Sequence, residues 1–302
     1  FRRVLIRSWI TNEKRSFYFM KKGVKFTALT LAATLMFSYP LCSGITAQAA
    51  TTPLKTVESS NVPTKYTGLS LSILGDSIST FNDYIPVDYN IYYPGNSGIP
   101  MVEGTWWYQV LNATGMRLCS NASSANTNVT GNSVAADGSA PGCSFRRIMD
   151  LKGADGTSPD VIIIYMGVND FARDIPLGSF QSPSIQTEGM QTTFSSAYEL
   201  MLLKIKSLYP NASVYCCTLF ARDPGLRAPG TNNPVNRNGN TIKDFNKQIR
   251  AIATAYGASV IDVYNCGITY ENLSVFTSDG VHPNLPGAQL FANCVTAALM
   301  NS

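Results

Sequence analysis

Five apolar runs, rich in β-branched residues, alternate along the chain with stretches of helical periodicity. The runs cover residues 69–75, 116–122, 160–167, 213–220 and 259–265. The third run contains five consecutive apolar positions, "VIIIY" at 161–165. A strand that is apolar on both faces is typical of the centre of a parallel sheet covered by helices on each side. The runs therefore predict five strands, with the third near the middle of the sheet.

Helical patterns fill the intervals between these runs. They cover residues 105–115, 144–153, 193–210, 240–257 and 284–300. The pattern at 193–210 places most of its apolar residues on one face and stops before Pro210. Strands that alternate with helices predict an α/β fold, here a three-layer α/β/α sandwich around a flavodoxin-like, five-stranded parallel sheet. In such folds the catalytic and ligand-binding residues lie at the carboxyl ends of the strands.

The first 66 residues have a different character. Residues 20–50 begin with three lysines, continue as an apolar run and end in Ala47-Gln48-Ala49, which predicts a secretory signal peptide rather than a membrane span. Residues 1–19 precede the first methionine and are interpreted as an upstream extension, and the polar residues 51–66 as a linker. We expect residues 67–302 to form the folded domain of a secreted protein, with no stable membrane insertion after cleavage.

Removal of the signal peptide would reverse the sign of the net charge. The chain carries 23 Lys and Arg against 19 Asp and Glu, but 8 of the basic residues and one of the acidic residues lie within residues 1–50. Residues 51–302 therefore hold 15 basic and 18 acidic groups, a net charge of −3. This balance offers no basic patch for nucleic acid, so we expect none as a partner.

Six cysteines would remain after cleavage: Cys119, Cys143, Cys216, Cys217, Cys266 and Cys294. Export would permit disulfides, and six cysteines allow 15 pairings. Cys119 with Cys143 and Cys266 with Cys294 are plausible pairs, and buried free thiols are the alternative. We expect no metal and no cofactor, because a single histidine cannot build a common zinc site.

Three side chains suggest nucleophilic catalysis. Ser77 follows the first strand in "GDSIS", and His282, the only histidine, lies in "DGVH" three residues after Asp279. A serine hydroxyl needs a base, usually an imidazole, and the imidazole needs a carboxylate on its other nitrogen. Taken alone, a serine after a strand is more often the N-cap of a helix than a nucleophile, so the assignment of Ser77 depends on its combination with His282 and Asp279. Asn169, at the end of the third strand, and the Ser77 N–H could donate hydrogen bonds to an oxyanion.

The motifs "GDSIS", "GVND" and "DGVH" resemble the sequence blocks of the SGNH/GDSL hydrolases, over about residues 68–302. The resemblance implies that Ser77 is the nucleophile, His282 the base and Asp279 its orienting acid. It also implies that Asn169 and the Ser77 N–H line the oxyanion hole. Members of this family are esterases, lipases, thioesterases and polysaccharide deacetylases that use no metal.

One block departs from the family pattern. The resemblance expects a glycine after the second strand, whose N–H completes the oxyanion hole. The stretch "CSNASSANTNVTG" at 119–131 offers no glycine before Gly131, so we assign this donor to the backbone N–H of Asn126. Asparagine tolerates a left-handed backbone that such a loop can require.

The substrate is predicted from aromatic residues. The stretch at 81–100 is dense in Tyr, Pro and Gly, and Trp106 and Trp107 follow it. Aromatic faces suit sugar rings, so we expect Trp106 and Trp107 to bind substrate, although packing in a helix core is the alternative. The combination of "GDSIST", "YYP" and "TWW" also resembles secreted bacterial members of the family, many of which act on acylated glycans. This resemblance implies a secreted serine esterase that removes acetyl or other short acyl groups from a carbohydrate. A lipase or thioesterase, and a non-catalytic glycan-binding protein, are the alternatives.

Overall fold

The computed structural model describes residues 63–302, except 96–97, 137–139 and 185–186. The predicted upstream extension, the signal peptide and most of the linker lie outside the described residues, so these assignments stay predictions. Within the described part, no helix combines the length and the apolar character needed to cross a membrane.

Five parallel strands form the central sheet. They are β1 (Ser70–Gly75), β2 (Arg117–Asn121), β3 (Val161–Tyr165), β4 (Ser213–Cys217) and β5 (Ser259–Ile261). Their order is β2-β1-β3-β4-β5, which is the flavodoxin-like order. The predicted sheet is confirmed, and β3 lies at its centre. A separate antiparallel ribbon joins Gly131–Asn132 to Met190–Gln191.

Helices cover both faces of the sheet. They are α1 (Trp106–Thr114), α2 (Phe145–Met149), α3 (Val168–Ala172), α4 (Phe194–Leu208), α5 (Ile242–Ala255), α6 (Leu273–Phe276) and α7 (Leu285–Met300). Helix α1 packs against α7, whereas α4 packs against α2 and α5. These two helical layers and the sheet make the three-layer α/β/α sandwich that the sequence predicts.

The predicted helix at 144–153 is shorter in the structure, where α2 ends at Met149. Its last carbonyl groups have other partners. The Tyr209 hydroxyl donates to the Ile148 carbonyl at 2.8 Å, and Ser120 Oγ donates to the Asp150 carbonyl at 2.5 Å. A longer helix would need these carbonyls for its own ladder, so tertiary contacts end it early.

Both tryptophans predicted to bind substrate belong to the core. Trp106 is 1% exposed and Trp107 is fully buried. The Trp106 ring stacks on Phe291 of α7 at a centroid distance of 4.5 Å, and its Nε1–H donates to Ser79 Oγ at 3.1 Å. The Trp107 ring packs against Tyr84 at a centroid distance of 5.6 Å. The prediction that these two rings face a sugar is therefore wrong, because other side chains of the core cover both of them.

All six cysteines of the described domain are free thiols. Cys119 Sγ lies against the Thr157 carbonyl at 3.6 Å, and Cys294 Sγ lies against the Asp262 carbonyl at 3.4 Å. The structure therefore has the free-thiol arrangement, and neither of the two disulfides considered from the sequence is formed.

Candidate active site

The turn that carries Ser77 begins where β1 ends. Ser77–Ser79 form a single 3₁₀ turn, and Asp76 caps it by accepting a hydrogen bond from the Ile78 N–H at 3.1 Å. The cap of this turn is thus Asp76, and the Ser77 hydroxyl is left for another partner. Gly75 must be glycine, because an added Cβ would lie 2.5 Å from Ser79 Oγ and 2.7 Å from Ser123 Oγ.

Ser77, His282 and Asp279 form one hydrogen-bonded chain. His282 Nε2 lies 2.8 Å from Ser77 Oγ, and His282 Nδ1 lies 2.7 Å from Asp279 Oδ2. Since the ionised carboxylate can only accept, Nδ1 carries the proton, and the bare Nε2 can accept the serine proton. Asp279 Oδ1 accepts from the backbone N–H groups of Val281 and His282 at 3.0 and 2.8 Å. These contacts fix the carboxylate against the imidazole.

The electrostatics of the site suit a base that is neutral at rest. Burial lowers the pKa of His282 below its usual 6.5; the Asp279 carboxylate opposes this shift and the Arg222 charge adds to it. Burial alone would raise the pKa of Asp279. The hydrogen bonds from His282 outweigh it, and the pKa of Asp279 lies below 3.8. An ionised aspartate beside a neutral histidine is the charge state that proton abstraction from a serine requires.

Tyr92 is a contact of this site that the sequence interpretation missed. Its hydroxyl donates to Asp279 Oδ2 at 3.1 Å, and its ring stacks on His282 at a centroid distance of 3.5 Å. Residues 81–100 are rich in tyrosine, and Tyr92 is one of four tyrosines there. No periodicity or spacing in the sequence distinguishes Tyr92 from its neighbours, because the described residues of this segment form no helix or strand.

Asn169 lies at the start of α3, one turn beyond the end of β3. Gly167 precedes it with φ of 127°, a backbone conformation that favours glycine and turns the chain sharply. Asn169 Nδ2 donates one hydrogen bond, to the Thr127 carbonyl at 3.0 Å. An amide nitrogen has two hydrogens, so the second is available to a ligand.

The loop after β2 carries the other expected donor. The Ala125 N–H donates to the Asn90 carbonyl at 2.8 Å, whereas no described residue accepts from the Asn126 N–H. Asn126 has a left-handed backbone with φ of 63°, as expected for a residue in place of glycine. Its carbonyl and side-chain oxygens both accept from Arg173. Nor does any residue of the described domain accept from the Ser77 N–H. The roles of these donors stay predictions.

Arg147 holds the two donor-bearing segments together, and the sequence interpretation missed it. Its side chain is fully buried on α2. Nη2 donates to the Gly75 carbonyl at 2.6 Å, at the end of β1, and Nε donates to the Ala122 carbonyl at 2.7 Å. Nη1 donates to Thr127 Oγ1 and to the Ala140 carbonyl, each at 3.0 Å. One guanidinium thus links the nucleophile turn to the loop that contains Asn126.

Asp76, next to the nucleophile, is an unusual carboxylate. It is fully buried, and no residue that the structure describes donates to its Oδ2. Burial raises its pKa to about 7, although the Ile78 N–H and the charges of Arg222 and Arg147 act in the opposite direction. Asp76 therefore changes protonation near neutral pH, beside the reactive hydroxyl.

A cleft lies at the same edge of the sheet, beyond the ends of β4 and β5. It has a volume of about 910 Å³ and is lined mainly by the segments 221–243 and 264–271. Half-buried Tyr264 and Tyr270 lie among asparagine, threonine and charged side chains there. Within the described chain, no three His, Cys, Asp or Glu side chains are grouped as metal ligands would be.

The family comparison agrees with the motifs. A family model described as GDSL-like lipase/acylhydrolase matches residues 69–221, which include Ser77, Asn126 and Asn169. No curated protein sequence is similar enough to this chain to serve as a relative.

Solved structures share the fold. A candidate GDSL-like lipase from Bacteroides ovatus is 25% identical with a TM-score of 0.57, and the match covers 78% of this chain and all of that one. A candidate GDSL-like lipase from Bacteroides uniformis is 26% identical with the same TM-score, over 78% of this chain and 97% of that one. A Lactobacillus plantarum protein, 17% identical with a TM-score of 0.54 over 77% and 97% of the two chains, shares the fold alone.

Proposed function

Because the chain belongs to the GDSL-like lipase/acylhydrolase family, we propose that it is a secreted serine esterase that removes short acyl groups, above all acetyl, from carbohydrates. The observation that carries the proposal is the chain of hydrogen bonds from Ser77 Oγ through His282 to Asp279, at 2.8 and 2.7 Å. Nucleophile, base and orienting acid already stand within hydrogen-bond reach of one another, as acyl transfer requires.

The reaction has two steps. Ser77 Oγ attacks the ester carbonyl carbon while His282 Nε2 takes the hydroxyl proton, and the carbonyl oxygen becomes an oxyanion. The Ser77 N–H, the Asn126 N–H and the second Asn169 amide hydrogen would stabilise that charge. The intermediate collapses with cleavage of the bond to the sugar oxygen, which takes the proton from the imidazolium. A water molecule, deprotonated by His282, then hydrolyses the acyl-serine and releases the acid.

Two features support a short acyl group. Ser77 is only 7% exposed, and its neighbours Ile78 and Ser79 are buried. Tyr92 covers one face of the catalytic imidazole. A long acyl chain would have to displace these groups, whereas an acetyl group needs little room beside the serine.

The cleft at 221–271 supports a carbohydrate as the leaving group. Two of its lining residues, Ala221 and Asp223, flank Arg222, whose charge acts on His282 and Asp279. Half-buried tyrosines among amide and hydroxyl side chains provide both the apolar faces and the hydrogen-bonding groups that sugars need. In this proposal, the sugar rings contact Tyr264 and Tyr270 instead of the buried Trp106 and Trp107.

The test compares ester substrates in wild type and Ser77→Ala. We expect wild type to hydrolyse p-nitrophenyl acetate faster than the butyrate and octanoate, and Ser77→Ala to lose at least about 10³-fold in kcat/KM. A fluorophosphonate should label Ser77, as mass spectrometry of the modified peptide would show. Absence of labelling would favour a glycan-binding protein, and rates that rise with acyl length would favour a lipase or thioesterase.

A second arm tests the carbohydrate. Tyr270→Ala should raise KM for an acetylated xylo-oligosaccharide and leave the kinetics on p-nitrophenyl acetate unchanged, because the small ester does not extend into the cleft. Tyr108→Ala, on the half-buried part of α1, is the matched control and should change neither. Equal KM values for wild type and Tyr270→Ala would reject this cleft as the sugar site.

A further inference from the structure

The segment 81–100 is fastened to both halves of the catalytic site. The Tyr92 N–H donates to Thr80 Oγ1 at 3.0 Å, and Thr80 Oγ1 in turn donates to the Ser77 carbonyl at 3.0 Å. On the other side, the buried Tyr93 hydroxyl donates to the Pro283 carbonyl at 2.8 Å, one residue after the base. Tyr92 is therefore held in place by its own backbone and by its neighbour.

From this position Tyr92 makes two contacts with the catalytic groups. Its ring lies 3.5 Å from the His282 ring, centroid to centroid, with only 13° between the planes. Its hydroxyl donates to Asp279 Oδ2 at 3.1 Å, the same oxygen that accepts from His282 Nδ1. One side chain thus touches both the base and the acid that orients it.

The ring geometry favours a charged imidazole. Two neutral aromatic rings prefer offset or edge-to-face packing over a nearly parallel, face-to-face stack. A cation over the face of an aromatic ring is attracted to it, and the more so the less water surrounds the pair. His282 becomes a cation when it takes the Ser77 proton, so the contact with Tyr92 strengthens as the transition state forms. An interaction that is stronger in the transition state than in the ground state accelerates the reaction.

We infer that Tyr92 is a positioning residue of the catalytic site, whose ring face stabilises the His282 imidazolium and whose hydroxyl orients Asp279. The inference rests on the proposed esterase function and adds a fourth residue to it. The hydroxyl contact keeps the carboxylate from rotating away from Nδ1. The ring contact fixes the plane of the imidazole, so that Nε2 stays directed at the serine oxygen.

Other groups also act on His282, and the effect of Tyr92 on its pKa has to be separated from their effects. Asp279 raises the pKa of the imidazole, and Arg222, which also acts on Asp76, lowers it. Among the described residues, the Ser77 hydroxyl and the edge of the Tyr93 ring also face the imidazole, the latter at a centroid distance of 6.5 Å. Tyr92→Phe and Tyr92→Leu both lack the hydroxyl that contacts Asp279, so a comparison of these two variants isolates the effect of the ring face on His282.

Two variants divide the role of Tyr92. Tyr92→Phe keeps the ring face and removes the hydroxyl, and Tyr92→Leu removes both while still covering the imidazole. With p-nitrophenyl acetate, we expect kcat to fall about 3-fold in Tyr92→Phe, which loses only the hydroxyl contact, and roughly 7- to 90-fold in Tyr92→Leu, which loses both contacts, with KM unchanged. Tyr84→Leu is the matched control, since Tyr84 belongs to the same segment but packs against Phe81 and Trp107. It should keep wild-type kcat.

The second readout does not depend on activity. His282 is the only histidine in the chain, so its ring protons titrate without overlap in an NMR spectrum of the untagged protein. We expect His282 to titrate at lower pH in Tyr92→Leu than in Tyr92→Phe, because only the phenyl face stabilises the cation. Equal titration in these two folded variants, or wild-type kcat in Tyr92→Leu, would overturn the inference. Failure of the proposed function is a different result: a wild type that neither hydrolyses esters nor reacts with the fluorophosphonate.

Discussion

Replacing Arg147 with methionine tests whether one buried guanidinium holds the active site together. The substitution keeps a long unbranched side chain on α2 and removes the donors to three carbonyl groups and one hydroxyl. A buried acceptor left without a donor costs about 1–3 kcal/mol. The Gly75 carbonyl keeps the Ser124 N–H as a donor at 3.2 Å. The lower end of that range, taken for the other three acceptors, predicts a loss of about 3 kcal/mol in the free energy of unfolding.

The neighbouring arginine supplies the control for this experiment. Arg146 lies on the same helix, but its ion pairs with Asp88 and Asp150 are partly exposed. Exposed ion pairs contribute less than about 1 kcal/mol, so Arg146→Met should cost correspondingly little. For a domain of this size, Arg147→Met should lower Tm by about 6–12 °C and Arg146→Met by no more than about 4 °C.

Urea unfolding followed by tryptophan fluorescence and by circular dichroism measures both variants, because the buried Trp106 and Trp107 report on the core. Under conditions where Arg147→Met is still folded, its kcat should also fall, since the Ser77 turn and the loop of Asn126 are no longer linked. If both arginine variants unfold at the same urea concentration, the four hydrogen bonds do not stabilise the domain as we argue.

Two further predictions concern pH. The kcat/KM of the esterase should fall in acid with an apparent pKa below 6.5, because burial lowers the pKa of His282 and only the neutral imidazole accepts the Ser77 proton. A pH profile of kcat/KM whose acid limb has an apparent pKa above 6.5 would contradict this. Burial also raises the pKa of Asp76 to about 7, from 3.8 in the unfolded chain. At a pH between these two values, Asp76 is ionised in the unfolded chain and protonated in the folded protein, so folding takes up a proton. Its stabilising contribution is complete below pH 4 and is lost as the pH rises through 7. The unfolding free energy of wild type minus that of Asp76→Asn, measured in urea, should therefore decrease from pH 5 to pH 8, and a constant difference would argue against a raised pKa.

The sheet and its covering helices could be predicted from local patterns. The run at 161–165 is apolar at every position, which fits only an element buried on both faces, and β3 is the central strand. Helices α4 and α5 begin and end close to their predicted limits, because Thr193 and Thr241 cap them and Pro210 follows the first. The meeting of Ser77 with His282 could be predicted as well, since the chemistry needs a base and the chain contains one imidazole.

The contacts that depend on long-range packing could not be predicted. Trp106 and Trp107 look the same in the sequence whether they face a sugar or the protein core. Trp106 is covered by Phe291 of α7, far along the chain, and Trp107 by Tyr84 of a segment without regular structure. Arg147 gave a weak signal: it lies four residues before the buried Leu151, on the apolar side of its helix. A charged residue on that side is easily assigned to the surface, because burial of an arginine requires partners that only the folded loops provide.

The left-handed backbone of Asn126 bears on how sites of this kind are recognised. The resemblance to known hydrolases expects glycine there, yet φ of 63° is a conformation that asparagine also adopts readily. The Asn126 N–H has no acceptor among the described residues, and its direction depends on the path of the main chain and not on the identity of the side chain. A sequence pattern that requires glycine at this position would exclude this chain. A pattern that also accepts residues able to adopt a left-handed backbone conformation would include it.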